Sequence, residues 1–201
     1  MTLNALSARA LVAGVLLVSA GCSGFQSNQP ATQVYTLDPQ FTQAPPAAAS
    51  TATLQVLRPQ AAPGLDTERI ALRRSSQRLD YYAASRWPAP APEFLQSLAI
   101  EALRASGKFR SVQADSVTFA SDLVLQIEIR RFQAEYAGDG APVVHVQLVA
   151  TLGRRKDRAI TSSVSADSSV AAAENRMQAV VAAFQSATTA ALADLAARLA
   201  P

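Results

Sequence analysis

Leu123, Leu125, Ile127 and Ile129 alternate with Val124, Gln126, Glu128 and Arg130. This period of two predicts a strand with one buried face. Phe132 falls out of phase with the run, so a β-bulge is expected near Arg130 and Arg131. Gly138, Asp139 and Gly140 turn the chain into Val144, Val146, Leu148, Ala150 and Leu152, a second alternating strand expected to pair antiparallel with the first. Residues 154–158 form the next turn, and residues 159–166 a third antiparallel strand rich in Ser and Thr. Asp167, Ser168 and Ser169 offer N-caps for a closing helix over about 171–199, whose apolar stripe is Met177, Val181, Phe184, Ala191, Leu195 and Leu199.

Earlier in the chain the pattern is shorter and more broken. Val34, Tyr35, Thr36 and Leu37 read as a short strand closed by Asp38 and Pro39, and residues 40–51, with Pro45, Pro46 and an Ala run, as a loop. Leu54 and Val56, bounded by Pro59, form another strand. Ile70, Ala71 and Leu72 face Leu79, Asp80, Tyr81 and Tyr82 across a polar turn at Ser75, Ser76 and Gln77, which reads as a hairpin. The prolines at 88, 90 and 92 block a helix until the last one opens it. Leu95, Leu98, Ala99 and Ala102 then recur at helical spacing, and Gly107 ends that helix. The sum is an α+β domain: a mostly antiparallel sheet of about five to six strands with two main helices packed on one face.

Composition narrows the function. The 201 residues are 49% hydrophobic, enough for one good core, and the length suits a single domain over residues 34–201. The formal net charge of +3 is too small for a nucleic-acid footprint, so no nucleic-acid partner is expected. Arg73 with Arg74, Arg130 with Arg131, and Arg154 with Arg155 and Lys156 are local clusters. They read either as solvent-facing strand ends and turns or as contacts to lipid headgroups or an acidic partner.

Catalytic chemistry is not legible. His145 is the single histidine, mid-strand on the side opposite Val144 and Val146, where it faces solvent or makes a hydrogen bond. No convergent set of His, Cys and carboxylates with metal-ligand spacing accompanies it. There is no G-x-S-x-G elbow, Walker loop or G-x-G-x-x-G. Glu128 and Glu135 share a strand region without a second partner. The chain is therefore expected to have no catalytic residues, no metal and no cofactor. Tyr81, Tyr82 and Trp87 form the one concentrated aromatic group. They read as cover for the sheet edge and first helix, or as the anchors of a partner-binding surface.

The N-terminus carries targeting information. Arg9 precedes the short uncharged apolar stretch 10–18, and small residues lead into Cys22, the only cysteine. The apolar stretch is too short to span a bilayer, which takes about 20 residues. Val18, Ser19, Ala20, Gly21 and Cys22 resemble the lipobox of bacterial lipoproteins, with Ser19 where Leu is usual. That resemblance implies a signal peptide over 1–21, acylation of Cys22 (diacylglyceryl and palmitate-type chains), and a flexible leader over 22–33. An unpaired cysteine in an exported protein is otherwise a liability. Acyl chains add about 0.8 kcal/mol per buried methylene, so two or more anchor stably without a membrane span. By resemblance to enterobacterial lipoproteins, Ser23, rather than Asp, implies the outer membrane, periplasmic face.

Val34 to Leu37 just after this leader, then Arg69, Ile70, Ala71 and Leu72, then Leu79, Asp80, Tyr81 and Tyr82, then Arg86, Trp87 and Pro88 before a helix, resemble the ABC-type transport auxiliary lipoproteins, intermembrane transport lipoproteins of the PqiC type. Pro88 stands where a small residue is expected. The resemblance covers essentially the whole chain after the leader. It implies an accessory role in lipid traffic between the two membranes. The implied partners are an MCE-domain protein and, through it, an inner-membrane ABC permease and ATPase, and a homo-oligomer is a further expectation. No ATPase is expected in the lipoprotein itself, in agreement with the missing Walker loop. A structural adapter of the envelope and a periplasmic sensor remain the other readings of the residues.

Overall fold

The structure, a computed structural model, describes residues 31–44, 51–75 and 77–200. The expected signal peptide over 1–21, Cys22, most of the expected leader, part of the 40–51 loop and Ser76 of the hairpin turn lie outside the described residues. In chain order the elements are β1 (Gln33–Val34), β2 (Thr53–Val56), β3 (Gln60–Ala61), β4 (Arg69–Ser75), β5 (Arg78–Arg86), α1 (Ala91–Ala105), β6 (Ser111–Ala114), β7 (Leu123–Glu135), β8 (Val143–Arg154), β9 (Ile160–Ala171) and α2 (Met177–Arg198). From Thr32 onward they form one compact unit.

β7 organises the sheet. Along one edge it pairs antiparallel with β8 over its whole length, from Leu123 opposite Arg154 to Glu135 opposite Val143, and β9 continues antiparallel beyond β8. Along the other edge lie three short strands in succession, all parallel to it. β2 sets Leu54 opposite Leu123, β3 sets Gln60 opposite Glu128, and β4 sets Ala71 opposite Gln133. β6 joins β2 in parallel, β5 forms the expected antiparallel hairpin with β4, and β1 pairs in parallel with β5.

The sheet is thus nine-stranded and mixed, larger than the expected five to six strands and not mostly antiparallel. Alternation of apolar residues fixes which side chain faces inward. It carries no information on the direction of a neighbouring strand, which depends on the route of the connection. The crossover through α1 is what returns β6 parallel to β2.

The central meander follows its pattern closely. Leu125, Ile127, Ile129, Val146 and Leu148 are all buried, whereas Gln126 is exposed. Ile129 lies opposite Leu148 and Arg131 opposite Gln147, leaving Arg130 as the extra residue of a bulge. That one residue restores Phe132 to the buried face at 1% exposure.

α1 begins at Ala91 with Pro92 in its first turn, and Gly107 follows its end at φ 64°. α2 starts later than expected. Asp167, Ser168 and Ser169 are not caps: they lie opposite Gln147, Val146 and His145 in β9, which stays paired through Ala171. The ladder to β8 outweighs the local capping preference of those residues. Met177 and Val181 are only partly buried, because the inner face of α2 is Val180, Ala183, Phe184, Ala187, Ala191, Leu192 and Leu195. This helix is long and apolar enough by length and composition to cross a membrane, with a mean hydropathy of 1.3 over its most apolar window. Half of that window is buried inside the fold, where α2 packs on β8 and β9.

Between the two helices and the sheet lies an aromatic cluster. Trp87 meets Phe94, Phe132 and Phe184 at ring-centroid distances of 5.6, 5.4 and 5.2 Å, and Phe132 meets Phe184 at 5.1 Å.

Candidate docking groove at the β5 bulge

The hairpin of β4 and β5 loses its regular pairing just before Trp87. Ala71 lies opposite Tyr81 and Arg69 opposite Arg86. Between those pairs β5 carries Tyr82, Ala83, Ala84 and Ser85 where β4 has only Ile70. Ala84 takes up the slack with a φ of 48°, a left-handed conformation that costs an L-residue about 1–2 kcal/mol. Such strain persists only where the surroundings enforce it.

The bulge opens a groove of about 630 Å³ lined by Arg69, Leu72, Arg74, Leu79, Asp80, Tyr81, Tyr82 and Ala83. Tyr81 and Tyr82 flank it with different partners. The Tyr81 hydroxyl donates to the Gly64 carbonyl at 2.8 Å, and the Arg69 guanidinium stacks 3.9 Å from its ring centre. Gly64 has a φ of 85°, a conformation that favours glycine, and a Cβ there would lie 2.5 Å from Leu79 Cδ2, so a side chain would strain the turn that offers this carbonyl to Tyr81. The Tyr82 hydroxyl lies 2.9 Å from that of Tyr136, which donates to Asn175 Oδ1 at 2.9 Å. Arg74 stacks 4.7 Å from the Tyr136 ring centre. Burial, and then the hydrogen bond to Tyr136, push the Tyr82 phenol well above its ordinary value. It stays neutral at physiological pH.

Trp87 does not join this surface. It is 1% exposed and sits in the aromatic cluster beneath both helices. The expected partner-binding trio is therefore divided: Tyr81 and Tyr82 line a groove, and Trp87 is core. A tryptophan with no exposed ring has nothing to offer a partner in this conformation. Arg69, Arg74, Tyr136 and Asn175 belong to the groove and its support; of these the sequence pointed only to Arg74, in a basic cluster suited to lipid headgroups or an acidic partner. Arg69 stood in a motif already noted, while Tyr136 and Asn175 follow the ends of β7 and β9 and gave no signal.

A second polar cluster lies on the face of the sheet turned away from α1 and α2, in the same cross-strand row as Tyr81. Ser169 Oγ is 2.7 Å from His145 Nδ1, and His145 Nε2 is 3.7 Å from Glu135 Oε2. Nucleophile, imidazole and carboxylate are thus neighbours, which the sequence did not reveal. Glu135 is held elsewhere, however. Its Oε1 accepts from Arg131 at 3.0 Å and from Gln133 at 2.8 Å, with Arg73 3.9 Å away. A carboxylate neutralised by two guanidiniums is a poor orienter for a general base. Among the described residues, no group of three His, Cys, Asp or Glu side chains could hold a metal ion.

Comparison with solved structures places the fold. A crystal structure from Xanthomonas campestris, assigned to the family model DUF330, is similar at a TM-score of 0.74 and 29% identity, covering 82% of this chain and 92% of that one. A crystal structure of an uncharacterized protein shares the fold at a TM-score of 0.62 and 15% identity, covering 84% and 98%. No similar sequence was found among curated proteins. The model of the family described as "ABC-type transport auxiliary lipoprotein component" matches residues 35–197, from just after β1 to the end of α2. The chain belongs to that family of ABC-type transport auxiliary lipoproteins.

Proposed function

We propose that this protein is a lipid-anchored accessory component of an intermembrane lipid transporter, held at the periplasmic face of the outer membrane and acting by docking. Its partner in this reading is an MCE-domain protein, and through it an inner-membrane ABC permease and ATPase. Cys22 carries the acyl anchor. Family membership supports the transporter role, and the β5 groove supports docking.

The single observation that carries the docking reading is the strained bulge. Ala84 is held in a costly conformation where the chain presents Tyr81 and Tyr82 beside Arg69 and Arg74. Aromatic rings fixed by hydrogen bonds and guanidinium stacking lose little entropy on binding, which favours them as anchors. A groove with two guanidiniums, one carboxylate and apolar walls suits a protein segment with both acidic and apolar side chains.

Two measurements test the proposal. Metabolic labelling with a fatty-acid analogue should mark the wild type and not Cys22→Ala; equal labelling would remove the anchor from the account. Affinity purification from solubilised membranes should bring down an MCE-domain protein. Repeated recovery without one would remove the transporter partner.

A further inference from the structure

Opposite the groove, at the Leu123 end of β7, four chain segments converge on a second cavity. They are the lead into β2, the lead into β6, the start of β7 and the turn from β8 to β9. The cavity is about 740 Å³, and its charged wall comprises Arg110, Asp122, Arg154, Arg155 and Lys156.

The charges there do not cancel. Arg154 is paired with Asp157 at 2.8 Å. Asp122 is committed to Thr53, accepting from its backbone N–H and its hydroxyl at 2.8 Å each. Those hydrogen bonds hold its carboxyl below the usual range, with the Arg110 charge a smaller cause. Arg155 is different. Its Nε donates to Ser121 Oγ at 3.0 Å and its Nη2 to Gln55 Oε1, both on neutral and buried residues. Gln55 is itself oriented by donating from Nε2 to the Val117 carbonyl at 3.3 Å. The backbone N–H of Arg155 donates to the Asp122 carbonyl at 2.9 Å, which fixes the turn. A guanidinium is thus locked in place by oxygen atoms that carry no charge, and its Nη1 has no partner among the described residues. Lys156, next in the chain, makes no hydrogen bond or ion pair among the described residues.

We infer that this cavity is an anion site for a phosphate group, carried by a phospholipid headgroup or a soluble phosphoester. With Arg154 matched by Asp157 and Arg110 facing Asp122, the excess is the positive charge of Arg155 and Lys156. A positioned guanidinium beside an exposed ammonium suits a tetrahedral oxyanion: the first supplies directed donors and the second a point charge. An arginine that served only to pin the turn would leave Lys156 irrelevant. The inference stands apart from the docking groove, which lies at the other end of β7.

The test is calorimetric titration of the full-length protein in neutral detergent with inorganic phosphate, glycerol 3-phosphate and water-soluble dihexanoyl phosphatidylglycerol. Binding should weaken at least tenfold in Lys156→Gln and in Arg155→Gln. It should be unchanged in Arg176→Gln, whose parent side chain is exposed and paired with Glu174. Lys156→Gln removes no hydrogen bond or ion pair among the described residues, so it reads the site even where Arg155→Gln loosens the turn. Binding of all three probes alike would assign the site to phosphate as such; binding of the lipid alone would assign it to a headgroup. Absence of binding to every probe, or binding indifferent to both substitutions, would overturn the inference and return these cations to the surface as solvated charges or an acidic protein's contact.

Discussion

The phenol oxygens of Tyr82 and Tyr136 lie 2.9 Å apart, tying the bulged edge of β5 to the residue that follows β7. The pair also gives the fold a titration signature. A phenol whose folded pKa is raised contributes stability that is fully present below its unfolded value, near 10, and is lost as pH rises toward the folded value. Tyr82→Phe should cost about 1 kcal/mol at neutral pH, the net worth of one hydrogen bond. The same variant should lose part of the wild type's decline in stability above pH 10. Denaturant titrations at neutral and alkaline pH check both, and parallel pH profiles for the two proteins would contradict the assignment.

Opposite faces of one strand should respond oppositely to truncation. Ile127 is 2% exposed beneath the helices, and its neighbour Gln126 is exposed on the other side. Ile127→Ala should lower stability by about 2–5 kcal/mol, through lost burial and a residual cavity. Gln126→Ala should stay within about 0.5 kcal/mol. Equal shifts in the denaturant midpoint would overturn the assignment of faces.

Thr188 is fully buried on the inner face of α2, and its hydroxyl has no hydrogen-bond partner among the described residues. Leaving such a group unpaired costs about 1–3 kcal/mol. Valine keeps the β-branched shape and removes the hydroxyl, so Thr188→Val should raise the denaturant midpoint. A fall in stability would mean that the hydroxyl is satisfied in solution.

The central meander was legible because its rule is local. Alternation set the buried face of β7 and β8, and the single break before Phe132 located the bulge at Arg130. Strand direction on the other edge of β7 was not legible. Thr53–Val56 and Gln60–Ala61 are too short to announce a partner, Arg69–Ser75 announced only its hairpin with β5, and the parallel pairing of all three with β7 comes from how the chain returns across the sheet. The end of β9 was misread for a related reason: Asp167, Ser168 and Ser169 favour caps locally, but β8 extends far enough to pair with them. Tyr81 and Tyr82 were visible as aromatics in a row. What separates them from Trp87 is burial, which depends on Phe132 and Phe184 arriving from distant segments to meet it beside Phe94.

Ala83 is exposed in the wall of the β5 groove, and its side chain can be changed without disturbing the core. The most direct measurement is therefore the affinity of the full-length protein for the proposed MCE-domain partner, compared between wild type and Ala83→Glu, with melting temperatures recorded alongside. The account predicts that Ala83→Glu keeps its melting temperature within a few degrees and binds at least tenfold more weakly, about 1.4 kcal/mol. Unchanged affinity in a fully folded Ala83→Glu, or no binding by the wild type, would contradict it.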